Sequence, residues 1–123
     1  MENCIFCKII KKEIPSEIVY EDENFLAFLD IKPRGPGHTQ IVPKKHYRWV
    51  WDVPNAGEFF EVAKKIALAQ KKAFNADIIR AQVYGEEIPH AHIWVWPETV
   101  GGEKDFKGNA EKIQKQLLGA LAS

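Results

Sequence analysis

The chain has 123 residues, of which 46% are hydrophobic and 28% charged, and its 17 acidic and 17 basic residues give a net charge of zero. This length predicts one soluble globular domain, residues 1–123, that buries about two thirds of the surface of its unfolded chain. A neutral chain lacks the basic face with which a non-specific nucleic-acid binder displaces counterions, and it has no run of roughly 18 apolar residues to span a membrane. The first residues also lack a basic start followed by an apolar run, so we expect a cytoplasmic protein without nucleic-acid or membrane partners.

Apolar alternation and turn residues predict five strands, over residues 17–21, 24–30, 38–43, 77–84 and 90–96. In the second strand one face is expected to carry Leu26, Phe28 and Asp30, and the other Phe25, Ala27 and Leu29. Helices are expected before, between and after these strands, which gives the order α-β-β-β-α-β-β-α.

The first helix is expected over about residues 3–11, and the long central helix runs to about Phe74 because apolar residues recur at helical spacing. Asp52 and Asn55 are alternative starts for that central helix. A loop over residues 100–108 precedes a C-terminal helix marked by Ala110, Ile113, Leu117 and Leu121. These elements indicate an α+β fold, with a mainly antiparallel five-stranded sheet, one long central helix and shorter N- and C-terminal helices.

The last strand carries an unusual set of side chains. One of its faces is aliphatic and is expected to join the core: Ala91, Ile93 and Val95. The opposite face carries two imidazoles and two indoles: His90, His92, Trp94 and Trp96. This set places imidazoles, which can act as nucleophiles or metal ligands, beside hydrogen-bond donors on a rigid strand. The pattern therefore favours a catalytic or ligand-binding role over a purely structural one.

The two cysteines, Cys4 and Cys7, lie three residues apart in the first helix. In a cytosolic chain such spacing indicates metal binding or redox chemistry rather than a structural disulfide. It is also a common half-site for zinc. Two buried free cysteines are the remaining alternative.

Several blocks of the sequence, taken in order, resemble the histidine-triad (HIT) family of nucleotide hydrolases and transferases, and most closely its small Hint-type branch. The blocks are CIFCKII (4–10), IPS (14–16), YED (20–22), AFLDI (27–31), PGHT (36–39), VPKKH (42–46) and PHAHI (89–93). The resemblance covers roughly residues 3–98 and implies a HIT-like fold.

The resemblance also implies roles for individual residues. The middle histidine of the family signature His-x-His-x-His attacks the α-phosphorus of a nucleotide, and by position this is His92. Neutral imidazole suits that work because it is a good nucleophile near pH 7. His38 is the implied residue that orients the nucleophile, and Asp30 the one that accepts hydrogen bonds from the ribose hydroxyls. The implied base slot is lined by apolar residues: Phe6, Ile9, Leu29 and Ile31.

The chain departs from the family pattern at two places. Trp94 stands where the third histidine is usual, and an indole N–H can donate a hydrogen bond to substrate but cannot transfer its proton at ordinary pH. The loop before the last strand is short and carries Glu86 and Glu87, which would repel a phosphate unless their side chains turn outward. The lack of a proton donor at position 94 predicts a narrowed substrate range that favours good leaving groups, and no phosphate contact is assigned to the loop.

In the zinc-bearing branches of the family the two cysteines are completed by two histidines, whose positions here are His46 and His90. Two sulfurs and two nitrogens would close a tetrahedral site, so the implied zinc is structural.

The resemblance therefore implies an enzyme that hydrolyses a purine nucleotide derivative (a phosphoramidate, acyl nucleotide or dinucleotide) through a nucleotidyl-histidine intermediate. It also implies a homodimer that pairs through the long helix and the strand after it. The main rival is a purine-nucleotide sensor of weak or no activity that has kept the zinc, and a third reading is a small zinc module that binds nucleic acid.

Overall fold

The computed structural model describes residues 4–122, with the backbone alone for Tyr84 and residues 119–122. Within this range the predicted order of helices and strands is confirmed. The elements are α1 (Ile5–Ile10), β1 (Ile18–Glu21), β2 (Phe25–Leu29), β3 (Thr39–Pro43), a short 3-10 helix (Val50–Asp52), α2 (Ala56–Ala73), β4 (Ile79–Tyr84), β5 (His92–Pro97) and α3 (Phe106–Ala122). None of the described helices combines the length and the apolar character that crossing a bilayer requires.

The five strands form one sheet in the order β1-β2-β3-β5-β4, and every neighbouring pair is antiparallel. The predicted α+β fold with a five-stranded antiparallel sheet is therefore confirmed. The last strand in the chain, β5, inserts between β3 and β4, so its side chains lie within the sheet rather than at an edge. In this register Trp94 lies opposite Gln40 on β3 and opposite Gln82 on β4.

Both faces of the sheet bury apolar side chains, as the alternation in β2 and β5 predicts. The face toward α2 and α3 carries the larger cluster, which includes Phe25, Ala27, Leu29, Ala91, Ile93 and Val95. The opposite face packs against α1 through a smaller cluster: Cys4, Phe6, Ile9, Leu26, Phe28 and Val42. The side chains of His90 and His92 follow Cys4 and Phe6 to this second face, because they alternate with the aliphatic residues of β5.

Several of the predicted boundaries differ from the observed ones by one to three residues. The last strand begins at His92 and not at His90, because the N–H of Ala91 donates to the carbonyl of Tyr47 (2.7 Å) instead of to a neighbouring strand. The central helix has Asn55 at its N-cap, while Asp52 lies in the 3-10 helix. The C-terminal helix begins at Phe106, inside the predicted loop, and its 17 residues nearly equal the 18 of α2.

A buried glutamine ties α2 to the segment that precedes β3. The amide nitrogen of Gln70 donates to the carbonyls of Gly37 and Val95, both at 2.9 Å, and lies 3.3 Å from the hydroxyl of Thr39. Gly37 has a φ of +75°, and a Cβ there would lie 2.6 Å from the ring of Phe74, so glycine is required. These contacts fix the backbone on both sides of His38.

Candidate functional site

A cavity of about 460 Å³ lies on the α1 face of the sheet, where α1, the end of β2 and the start of β5 meet. His92 borders this cavity. So do all six residues predicted to contact a substrate: Phe6, Ile9, Leu29, Asp30, Ile31 and Trp94. The structure thus brings the predicted nucleophile and the predicted substrate contacts to one cavity.

The imidazole of His92 has one nitrogen engaged by the backbone. Its Nδ1 lies 2.7 Å from the carbonyl oxygen of His90, an acceptor, so Nδ1 carries the proton and Nε2 carries the lone pair. Burial lowers the pKa of His92, although the His90 carbonyl and the carboxylates of Asp30 and Glu87 oppose the shift. The ring is therefore held neutral, in the tautomer that a nucleophilic Nε2 needs.

The apolar wall of the cavity is formed by α1 and the end of β2. The ring of Phe6 meets the ring of His92 edge to face, with centroids 5.2 Å apart, and it packs in the same way on Phe28 at 5.4 Å. Ile9 is buried beside them, whereas Ile31 is 81% exposed at the rim. Leu29 belongs to the core cluster on the α2 side and borders the cavity where β2 ends.

A chain of hydrogen bonds crosses three strands and joins Trp94 to Asp30. The indole N–H of Trp94 donates to Oε1 of Gln40 (3.2 Å), and Nε2 of Gln40 donates to Oδ2 of Asp30 (3.0 Å). The other carboxylate oxygen of Asp30 accepts from the backbone N–H of Lys32 at 2.8 Å. Each carboxylate oxygen has a second lone pair, so Asp30 retains acceptor capacity toward the cavity.

His38 directly precedes β3 and is 1% exposed. Its Nδ1 accepts from the backbone N–H of Arg34 (3.0 Å), so in the neutral ring the proton is on Nε2. That Nε2 is 3.8 Å from Oδ2 of Asp30, too far for a hydrogen bond, and it has no hydrogen-bond partner among the described residues. Burial lowers the pKa of His38 to about 4, and this effect outweighs the opposing attraction of Asp30.

The loop between β4 and β5 carries two exposed glutamates in different surroundings. Glu87 borders the cavity of His92, whereas Glu86 borders another cavity of about 400 Å³ with Trp49 and Trp51. Of the two glutamates, only Glu87 borders the candidate site.

The four predicted metal ligands form one cluster beside the cavity. The ligand atoms of Cys4, Cys7, His46 and His90 all lie within 4.8 Å of one another. Nδ1 of His90 is 3.3 Å from Sγ of Cys4 and 3.4 Å from Sγ of Cys7, and Nδ1 of His46 is 3.2 Å from Sγ of Cys7. Around a tetrahedral zinc such sulfur–nitrogen distances are about 3.6 Å, so the donor set fits that ion with small adjustments.

Two further observations support a metal in this cluster. Nε2 of His90 is 2.8 Å from the carbonyl of Pro43, so it carries the proton and leaves Nδ1 as the lone-pair donor. Burial, followed by the neighbouring Cys4, raises the pKa of the Cys7 thiol to about 11, so a bound cation would be needed to hold that sulfur as a thiolate. The cluster can therefore bind a metal ion such as zinc.

Sequence reasoning missed several residues that border the cavity, among them Lys32, Arg34 and Gln40. Gln40 shares its strand face with His38, so alternation along β3 would have placed it toward the site. Arg34 follows no periodic pattern, because it lies in the loop between β2 and β3.

Comparisons with known proteins agree with this geometry. The HIT domain family model matches residues 11–100. A HIT-like protein of Methanocaldococcus jannaschii is 44% identical over 104 residues, which cover 80% of this chain and 81% of that protein. An adenosine 5'-monophosphoramidase of Saccharomyces cerevisiae is 38% identical over 131 residues, which cover 96% of this chain and 82% of that enzyme. The structure of a Zn-bound histidine triad family protein of Mycobacterium smegmatis is similar, with a TM-score of 0.89, 27% identity and coverage of 98% of this chain and 97% of that one.

We expect the burial of His38 to make the protein less stable in acid. Its pKa is about 4 in the folded protein against 6.5 in an exposed histidine, so between these values the unfolded state binds more protons than the folded state. The free energy of unfolding should therefore fall as the pH drops from 6.5 toward 4, by up to about 3 kcal/mol from this residue. Urea unfolding of the wild type and of His38→Asn, at about pH 7.5 and about pH 4.5, measures this contribution.

The comparison isolates His38 because the other histidines are present in both proteins. Asp30 and Arg34, whose charges act on His38, are also present in both proteins. An equal loss of stability in the two proteins between the two pH values would contradict the prediction.

Proposed function

Because this chain belongs to the HIT family, we propose that it is a nucleotide hydrolase or transferase that acts at the α-phosphorus of a purine nucleotide derivative, with His92 as nucleophile. The observation that carries the proposal is the lone pair on Nε2 of a neutral His92 at a cavity bordered by an apolar wall and by Asp30. The Saccharomyces cerevisiae relative is an adenosine 5'-monophosphoramidase, which supports the same class of reaction.

In this proposal the nucleoside lies along the wall formed by α1 and β2. Phe6, Ile9 and Ile31 contact the base, and the exposed apolar surface of Ile31 gains a partner when the base binds. Asp30 accepts hydrogen bonds from the ribose hydroxyls with its remaining lone pairs. These contacts place the α-phosphorus near Nε2 of His92, and such positioning lowers the barrier to attack.

The proposed reaction has two steps. Nε2 of His92 bonds to the α-phosphorus and expels the leaving group, which gives a nucleotidyl-histidine, and water then cleaves the phosphorus–nitrogen bond. In this scheme His38 does not react but positions the indole of Trp94, on which its ring packs with centroids 5.2 Å apart. The contacts of Gly37 and Thr39 fix the backbone of His38 for this role.

The first test is the covalent intermediate. We expect wild-type protein mixed with the 4-nitrophenyl ester of AMP and denatured in alkaline buffer to carry an adenylyl group on His92, located by peptide mass spectrometry. His92→Asn should bind AMP but form no adduct, since the asparagine amide is not a nucleophile at phosphorus. An adduct that persists in His92→Asn would show that another residue attacks.

A nucleotide sensor is the second candidate, and one observation favours it. The indole N–H of Trp94 is directed to Gln40 and supplies no acid to a leaving group. Tight AMP binding by the wild type without adduct or turnover would establish the sensor and reject the enzyme.

We further propose that the cluster of Cys4, Cys7, His46 and His90 binds a structural zinc ion. All four positions of a tetrahedral ion would be taken by protein atoms, which leaves no open position for catalysis. The ion would hold α1 against the start of β5. The similarity of this chain to a Zn-bound histidine triad family protein supports zinc as the metal.

We expect purified wild type to contain about one zinc per chain by elemental analysis, and removal of zinc to lower the melting temperature by roughly 10 °C or more. His46→Asn should lose most of the metal, whereas His92→Asn, which keeps all four ligands, should retain it. Full zinc content in His46→Asn, or a melting temperature that chelation leaves unchanged, would reject a structural zinc at this site.

A homodimer that pairs through α2 and β4 completes the proposal. β4 is an edge strand, and exposed apolar side chains lie on both elements: Phe60 and Leu68 on α2, and Val83 on β4. Such edges and patches are typical of pairing surfaces.

We expect sedimentation equilibrium of the wild type to give twice the chain mass of 14.1 kDa. Val83→Glu should shift the protein toward monomer, because it places a charge in the interface. Val100→Glu is the matched control, since Val100 is 90% exposed in a loop. A monomeric wild type, or equal effects of the two variants, would reject this interface.

A further inference from the structure

We propose that Arg34 is a specificity-determining residue that selects nucleotides whose leaving group is itself a phosphate. The inference rests on the proposed function and concerns the leaving group, which the contacts described so far leave open.

Arg34 belongs to the loop between β2 and β3, and its guanidinium lies over two indoles of β5. The carbon Cζ is 4.8 Å from the ring centroid of Trp94 and 5.3 Å from that of Trp96. Nη1 lies 3.3 Å from Oε1 of Gln82 on β4, to which it donates. The side chain therefore crosses β5 at the third position of the family signature, held by two aromatic rings and one hydrogen bond.

The guanidinium presents a positive charge at the cavity that His92 borders. Among the side chains that the structure describes, no carboxylate oxygen lies within 4.0 Å of it. A guanidinium has five N–H donors in a planar fork, so donors remain for a ligand after the contact with Gln82. This fork matches a phosphate, which it binds through two parallel hydrogen bonds.

The same end of the cavity lacks a proton donor at position 94, because the Trp94 N–H is directed to Gln40. An amine leaving group must gain a proton as it departs, whereas a phosphate departs as an anion. When Nε2 of His92 bonds to the α-phosphorus, the bond from that phosphorus to the bridging oxygen breaks and its electron pair stays on the departing phosphate. Arg34 compensates that charge. In the second step water attacks the phosphorus, and the electron pair of the phosphorus–nitrogen bond returns to Nε2. One proton of the water goes to solvent.

The test compares two adenylates with leaving groups of similar acidity. Diadenosine tetraphosphate expels a polyphosphate, and the 4-nitrophenyl ester of AMP expels a phenolate that carries no charge before the bond breaks. We expect Arg34→Ala to lower kcat/KM for diadenosine tetraphosphate by roughly 30-fold. The loss for the nitrophenyl ester should be smaller by a factor of at least about ten. Arg34→Lys should fall between, since it keeps the charge and loses the fork.

Arg80→Ala is the matched control. Arg80 lies on β4 with its guanidinium 2.8 Å from Glu98, and it does not border the cavity. The substitution at position 34 keeps the backbone N–H that donates to His38, so the loop contact survives. Equal losses on the two substrates in Arg34→Ala, or the same selective loss in Arg80→Ala, would overturn the role of Arg34 while the proposed function stands.

If the wild type turns over neither substrate, the proposed hydrolase function is rejected. A binding measurement then still tests the proposed role of Arg34. ADP carries one phosphate beyond the α-phosphate, at the position of the leaving group. We expect Arg34→Ala to weaken ADP binding by about tenfold and AMP binding by less than about twofold in calorimetry. Equal weakening for ADP and AMP would overturn the inference on its own.

Discussion

The contacts of the His90 side chain and backbone hold the candidate site together. Its Nδ1 meets the sulfurs of Cys4 and Cys7 at the start of α1, and its Nε2 donates to the carbonyl of Pro43 at the end of β3. The carbonyl of the same residue accepts from Nδ1 of His92 and thereby sets the tautomer of that ring. Because α1 carries Phe6, which lies edge to face on His92, a single junction orients both the ring of the proposed nucleophile and the apolar wall beside it. This arrangement explains how a helix of six residues, too short to be stable alone, can form one side of a site.

Desolvation is the dominant electrostatic effect on the buried histidines. His38 has a carboxylate of Asp30 at 3.8 Å, yet its pKa falls to about 4 because the cost of burying an imidazolium exceeds that attraction. The pKa of His90 falls to about 4 for the same primary reason, and that of His92 is also lowered. The fold thus keeps all three rings neutral, which a metal ligand and a nucleophile both require.

The extent to which the site could be predicted depends on the range of the interactions involved. Alternation along β5 was enough to separate Ile93 from His92, because period 2 is a local property of a strand. The start of that strand was wrong by two residues, since the N–H of Ala91 pairs with Tyr47, a partner far away in the sequence. The ligand cluster joins Cys7 to histidines 39 and 83 positions later, so only the resemblance to a family, and no spacing rule, could assemble it. Arg34 had neither signal, because its place over Trp94 depends on how a loop crosses the finished sheet.

The tryptophan at position 94 is best understood together with its neighbours. Gln40 accepts its N–H and fixes the indole so that one face of the ring meets Arg34. Indole is the strongest aromatic partner for a cation, and Trp96 supplies a second ring to the same guanidinium at 5.3 Å. A histidine at position 94 would provide a proton but a smaller ring for the cation, and Gln40 could then satisfy only one of its nitrogens. Position 94 therefore carries a group that holds a permanent charge beside it and does not move a proton, and Gln40, Gln82 and Trp96 contact either the indole or the guanidinium of this pair.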